Sequence, residues 1–266
     1  MDEPQKNRYT QLVEEIFFKH YKKGATTVEF ERSELVEAAE RLKLKLPKNL
    51  GDVLYTFRYR GTLPESITAK APPDKMWIIR PAGRGQYRFV LAPAVHISPA
   101  PNLVETKIPD GTPGIISQYA QGDEQALLAQ IRYNRLIDIF TGLTCYSLQN
   151  HLRTTVAEMG QVETDELYVG LDKRGAHYVL PVQAKGLREH IGVVQIEQDI
   201  ALCAEKFPPL ICKPIAAQWI DRGLIALFEL EKTDETIAIA NERHYRLVHP
   251  EDLSAEELKS YQSRSM

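Results

Sequence analysis

Residues 160–186, GQVETDELYVGLDKRGAHYVLPVQAKG, decide how this chain is read. Two β-rich runs flank Asp172-Lys173-Arg174-Gly175, so the pattern predicts strands over Val162–Leu171 and Ala176–Lys185 joined by a turn. Side chains alternate between the faces of a strand, which puts Gln183 and Lys185 on one face. Closing the hairpin sets Leu171 near Ala176 or His177. Counting outward then brings Asp165 opposite Pro181–Gln183, to within about one residue. Asp165, Gln183 and Lys185 therefore meet at the open end of the hairpin. Strand parity keeps Glu163 with Asp165 and turns Glu166 away, whereas a one-residue slip would exchange Glu166 for Asp165. Gln183 and Lys185 end an otherwise apolar strand (Tyr178, Val179, Leu180, Val182, Ala184), which places them at the rim of a buried sheet.

The bulk composition fits one large or two modest globular domains: 266 residues, 43% hydrophobic and 26% charged. No stretch approaches the roughly 20 apolar residues of a membrane span. The N-terminal run MDEPQKNRYT is polar and unlike a signal peptide. Cys145, Cys203 and Cys212 form no Cys-x-x-Cys pair, so neither a zinc site nor a disulfide frame is expected, and a cytoplasmic location fits. The net charge of −3 hides a split. Residues 1–94 hold 17 Lys and Arg against 12 Asp and Glu, and within 43–90 the balance is 10 to 3. Such a local basic excess suits a polyanionic partner.

Along the chain, Tyr9, Leu12, Val13, Ile16 and Phe17 follow the spacing of a first helix. A short strand over Thr26–Phe30 comes next, and Ser33 is placed to cap a second helix. Asn49 is placed to cap a third, with Leu50, Val53, Leu54 and Phe57 inward. Met76–Ile79 and Tyr87–Leu91 then flank the turn PAGRGQ. Residues 96–119, rich in Pro and Gly, read as a linker or arm between residues 1–95 and 120–266. A long helix is expected over Asp123–Phe140, a short one over Tyr146–Leu152, a strand over Arg153–Val156, and a further helix over Ile191–Lys206. On that last helix, Gln195, Glu197, Gln198 and Asp199 either back the hairpin's open end or form a solvated face. Leu210–Ile215 and Leu224–Leu230 complete a mixed sheet through a strand–helix–strand crossover.

An Asp, a hairpin and then Gln-x-Lys resembles the active site of the PD-(D/E)xK nuclease superfamily in its QxK variant. The resemblance spans about residues 144–230, with the motif inside 163–185. It implies a restriction-endonuclease-like mixed-sheet domain and a bound Mg2+, with Mn2+ as a substitute. Asp165 would be the shared metal ligand, joined by the Gln183 side-chain oxygen and the Ala184 backbone carbonyl, with Glu163 as a second carboxylate candidate. Lys185 would position water or stabilise the transition state. Many members of the superfamily carry a Glu on the helix before the sheet. Here the candidates are Gln149 and Asn150 on the expected short helix, or Glu124 on the longer one.

The N-terminal element order and charge resemble a winged helix-turn-helix. That resemblance implies DNA contacts from Lys48, Tyr55, Arg58 and Arg60 on and beyond the third helix, and from Arg80, Arg84 and Arg88 around the hairpin. The combined expectation is an α/β (α+β) protein that acts as a site-specific DNA endonuclease of the prokaryotic restriction type. Its partner would be double-stranded DNA, and it would work as a homodimer when cutting both strands. Two other readings stay open: a DNA-binding regulator with an inactive nuclease-like domain, and a repair or structure-specific nuclease.

Overall fold

Leu12, Val13, Ile16 and Phe17 recur at helical spacing, and helix α1 (Arg8–His20) buries all four. They lie in a computed structural model that describes residues 7–263 except 96, 121, 158, 188 and 235, and omits the side chain of Arg60. The Asn7 side chain caps α1 by accepting the Tyr9 N–H at 3.1 Å. Strand β1 (Thr27–Glu31) turns Val28 and Phe30 inward, and helix α2 (Glu34–Leu42) adds Leu35, Ala38 and Ala39. Ser33, expected as the cap of α2, instead donates its hydroxyl to Glu31. Glu34 is the anchor at this end. Its carboxylate accepts from the Glu31 N–H at 3.0 Å and from Lys19 Nζ at 2.8 Å, and it meets His20 Nε2 at 2.6 Å.

Asn49 accepts the Gly51 N–H at 3.0 Å and opens helix α3 (Gly51–Tyr55), which runs directly into a π-helical stretch, Thr56–Arg60. Helix α4 (Glu65–Thr68) and strands β2 (Lys75–Pro81) and β3 (Gln86–Pro93) follow. The three strands form an antiparallel sheet in the order β1-β3-β2. Gly83 and Gly85, at φ 124° and 76°, make the tight β2–β3 turn that residues with a Cβ resist. Phe17 is the hub of this first core, with ring centroids 4.9 Å from Tyr21, 5.2 Å from Trp77 and 5.1 Å from Phe89.

The second body is an eight-stranded mixed sheet. The segment expected as a linker contributes to it. Strand β4 (Glu105–Pro109) is followed by helix α5 (Gly114–Tyr119), and Ile97 bridges to Ile191. The long helix expected over Asp123–Phe140 is two helices, α6 (Glu124–Tyr133) and α7 (Leu136–Thr141). They are separated where Arg135 takes a left-handed conformation at φ 52°. Strands β5 (Thr144–Val156), β6 (Gly160–Leu171) and β7 (His177–Lys185) then form an antiparallel meander. The short helix expected over Tyr146–Leu152 is thus part of β5, an edge strand with most of its residues exposed.

Helix α8 (Val193–Lys206) crosses over through the two-residue strand β8 (Ile211–Cys212) to β9 (Ile215–Asp221), which runs parallel to β7. Strand β10 (Leu224–Lys232) is antiparallel to β9 and to β11 (Ile237–Val248), and β4 closes the far edge parallel to β11. Helix α9 (Ala255–Gln262) ends the chain with a capping box between Ser254 and Glu257. The two-residue period of the strands assigns the layers. Leu180, Val182, Ala184, Ile215 and Ala217 pack with Leu127, Leu128 and Ile131 of α6. Ala216 packs with Ile196 of α8, and Val179 with its Leu202 and Cys203. No described helix is long and apolar enough to cross a membrane.

Burial opposes ionisation of Glu34, but Lys19, the Glu31 N–H and His20 outweigh it and hold its pKa down at about 2. The resulting stabilisation is complete above the unfolded carboxylate range and is lost as the pH falls toward 2. Glu34→Gln is expected to lower stability by about 1 kcal/mol at pH 6, read as a Tm lower by roughly 2–4 °C. The gap between variant and wild type should close between about pH 4 and pH 2 in thermal melts.

Candidate active site

The β6–β7 ladder runs from Leu171 opposite His177 to Glu166 opposite Val182 and stops there. Asp165 and Gln183 therefore stand at the fork where the two strands part. At this fork the Asp165 side chain takes over from the ladder, accepting the Ala184 N–H at 2.8 Å through Oδ2. Across the other ladder, His151 lies between the pairs Asn150–Glu166 and Leu152–Thr164 with φ 46°. A positive φ is strained for a residue with a Cβ, and it marks an irregular turn of the edge strand beside the fork.

Lys185, at 7% exposure, has lost nearly all of its water. Its Nζ donates to Glu124 Oε1 at 2.6 Å. Glu124 opens α6, directly after Asp123, whose side chain caps that helix by accepting the Ala126 N–H. Of the three candidates for a helix-borne partner, Glu124 is the one that lies on a helix. Gln149 and Asn150, the other candidates, lie on β5, and the Asn150 side chain accepts from Arg132. A cleft of about 330 Å3 opens beside the pair, lined by Glu124, Gln125, His151, Gly186 and Glu189 among others.

Burial would lower the Lys185 pKa, but Asp165 and the hydrogen bond donated to Glu124 more than offset it, so the ammonium is held above its ordinary value. Asp165 also shifts upward. Burial disfavours its charge and Glu124 adds repulsion, which Lys185 and the Ala184 N–H do not fully cancel. The asymmetry has a simple source: one ammonium serves two carboxylates.

Gln183, 1% exposed, is fixed on all sides. Its Nε2 donates to Asp199 Oδ2 at 2.9 Å and to the Glu163 carbonyl at 3.3 Å, and its Oε1 accepts from Gln195 Nε2 at 3.3 Å. Asp199 is fully buried, and that burial pushes its carboxyl up to about 8, against the opposing hydrogen bond from Gln183. Gln195 and Asp199 of α8 thus back the fork, one of the two roles open to that helix face in the sequence. What singles them out is their i, i+4 spacing, which puts both on one face of a largely buried helix.

The remaining candidates separate into those at the fork and those engaged elsewhere. Glu163 pairs with Arg153 at 3.0 Å, with His151 at 3.7 Å. Glu166 is fully buried and accepts from Arg132 Nε at 3.0 Å and from the Ser147 hydroxyl. This is the register in which Asp165, not Glu166, stands at the open end. Among the described residues no three His, Cys, Asp or Glu side chains converge as a metal-holding group. Of the expected donors for a hard cation, Asp165 stands at the fork and the Gln183 oxygen already accepts from Gln195. A set this small would suit only an ion that keeps most of its water.

On the basic body, Lys48, Arg84 and Arg88 are exposed, and Tyr55 is half-buried beside Tyr59, with ring centroids 4.7 Å apart. Two expected DNA contacts have other partners. Arg80 forms a forked ion pair with Glu197 of α8. Arg58 stacks on Tyr59 and Tyr87, with its Nε and Nη2 buried. A guanidinium spent on internal contacts is not free to reach phosphate. Arg60 was the last of these expectations, and its side chain lies outside the described residues.

The two neighbouring acids should respond oppositely to neutralisation. With its raised pKa, Asp165 makes the native state bind more protons than the unfolded chain, so its contribution to stability falls as the pH rises through the carboxylate range. In EDTA at pH 7.5, Asp165→Asn is expected to be neutral or to stabilise by about 1 kcal/mol. Glu166→Gln should cost about 2–3 kcal/mol by breaking a buried ion pair. Urea unfolding measures both, and a neutral Glu166→Gln would reverse the structural and functional assignments of these residues.

Comparison of the chain with protein-family models, with curated proteins and with solved structures gave no match.

Proposed function

We propose that the protein is a Mg2+-dependent DNA endonuclease of the restriction type, with a winged-helix-like reading domain before a restriction-endonuclease-like cutting domain. The observation that carries this reading is the open end of the β6–β7 hairpin. There Asp165 sits at the fork and buried Lys185 pairs with Glu124, a carboxylate at the start of the helix before the sheet, beside an open cleft. These positions correspond to the Asp, Lys and helix-borne Glu of the resembled superfamily. The helices α1–α4 with the π-helical stretch, the antiparallel sheet and the exposed Arg84 and Arg88 support the reading of the first body as the DNA-contacting one.

In this reading Asp165 would hold Mg2+ together with the Gln183 oxygen and the Ala184 carbonyl. The bound ion would supply positive charge at the scissile phosphate and acidify a water. The chain's own contribution is electrostatic. Lys185 stays protonated, so it acts as a fixed cation that orients water and stabilises charge on the phosphate, and not as a base. Glu124 holds the ammonium in place. Cutting both strands would require two such sites, hence a homodimer on the DNA.

Two observations favour a second reading, a DNA-binding regulator with an inactive nuclease-like domain. The neutral Gln183 has its amide hydrogen-bonded internally, and no cluster of three acids forms among the described residues.

Plasmid incubated with Mg2+ should give discrete fragments, with no cleavage in EDTA. Asp165→Ala and Lys185→Ala should lower the rate by at least about 100-fold while leaving DNA affinity within a few-fold. Arg84→Ala and Arg88→Ala should instead weaken binding and reduce its salt slope by about one each. Binding without cleavage, on methylated and unmethylated DNA alike, would replace the first reading with the second.

A further inference from the structure

Helix α8 carries four polar side chains within five positions, Gln195, Glu197, Gln198 and Asp199, and each is engaged with one of the two bodies. A helix advances about 100° per residue, so Gln195 and Asp199 share a face while Glu197 and Gln198 point away from it or to its side. The first pair holds the Gln183 amide. The second pair is held by the basic body: Arg80 grips Glu197 with a two-pronged guanidinium, and the Tyr59 hydroxyl donates to Gln198 Oε1 at 2.7 Å.

On the nuclease reading above, we propose that Tyr59 and Arg80 are positioning residues, which fix α8 so that Gln195 and Asp199 keep Gln183 in its working orientation at the hairpin fork. Simple adhesion between the bodies would not need this chemistry. Gln198 is 2% exposed, and its Nε2 is buried without a hydrogen-bond partner. Burying polar groups costs free energy that apolar packing would avoid, so the contact specifies a placement.

Tyr59 is itself set from the other side. It lies in the π-helical stretch Thr56–Arg60, and the Arg58 guanidinium stacks 4.8 Å from its ring. A π turn inserts an extra residue per turn and re-aims the side chains beyond it, and such turns recur at functional sites. Arg80 pairs across the β2–β3 ladder with Arg88, an exposed candidate for DNA contact. A ligand drawn onto Arg88 is thereby one strand from the guanidinium that holds α8. The connection runs from Arg88 across the ladder to Arg80, and from there through Glu197 and α8 to Asp199 and Gln183.

The test compares wild type with Tyr59→Phe, Arg80→Ala and Arg80→Lys. Amide hydrogen exchange is followed across residues 179–206 without DNA, and single-turnover plasmid cleavage in Mg2+ is followed beside DNA affinity measured in EDTA. Tyr59→Phe removes one hydroxyl and leaves the ring packed. It and Arg80→Ala should speed exchange at the fork and α8 about tenfold, for a lost hydrogen bond. Both should slow single-turnover cleavage about 10- to 100-fold, because small misplacements of a reacting group are that costly. DNA affinity should stay within about twofold. Arg80→Lys, which keeps the charge and loses the fork, should recover part of the loss. Unchanged exchange in Tyr59→Phe and Arg80→Ala overturns the proposal. So does a fall in affinity matching the fall in rate, which would make these residues DNA contacts. If wild type does not cleave, the nuclease reading fails by itself, and the exchange data still decide whether Tyr59 and Arg80 position α8 and Gln183.

Discussion

Lys185 is a cation almost out of water at the end of an apolar strand, and much of the second body is arranged to keep it there. A buried ammonium is tolerated only with opposite charge at hydrogen-bonding distance. Glu124 provides this at 2.6 Å, and it can do so because the Asp123 cap starts α6 at that position. Asp165 supplies the second negative charge, held in line by the Ala184 N–H. The parting of β6 and β7 after the Glu166–Val182 pair makes room for these groups, where a continued ladder would have spent the backbone on itself.

Glu166, one residue along, shows how sharply the sheet sorts its carboxylates. It is sealed against Arg132 and Ser147. Two adjacent acids thus have opposite surroundings, one in a buried ion pair and the other at the strand fork, where burial disfavours its charge. Stability conceded locally at a site and recovered in the surrounding packing is the common pattern for functional groups. The same trade recurs on α8, where buried Gln198 stands in place of an apolar side chain that tighter adhesion would select.

What the sequence disclosed follows from how local each signal is. The hairpin was legible because its turn, its β-rich strands and its polar rim all lie within 27 residues. α1 was legible from a regular apolar stripe. β5 was misread as a helix over Tyr146–Leu152 because an exposed edge strand has no buried face to impose alternation, and Leu148 and Leu152 happen to be four apart. The break between α6 and α7 was hidden because Asn134 and Arg135 interrupt the apolar pattern by polarity alone, without Gly or Pro. Arg80 and Arg58 read as surface cations because nothing local announces a partner 117 residues away or a stack between two tyrosines. Glu124 does not stand out in the sequence, because its pairing with Lys185 joins residues 61 positions apart.

The connection between the bodies has a consequence for dissecting the protein. Residues 97–109 run along the second body: Ile97 bridges to Ile191, the Ala100 N–H donates to Glu242, and β4 completes the sheet beside β11. A fragment starting at residue 120 would leave β11 with bare N–H and C=O groups along its outer side. Such an edge invites pairing with other chains, so that fragment would report on its own aggregation before it reported on the site. The second body thus takes in the proline-rich stretch from Ile97 to Pro109.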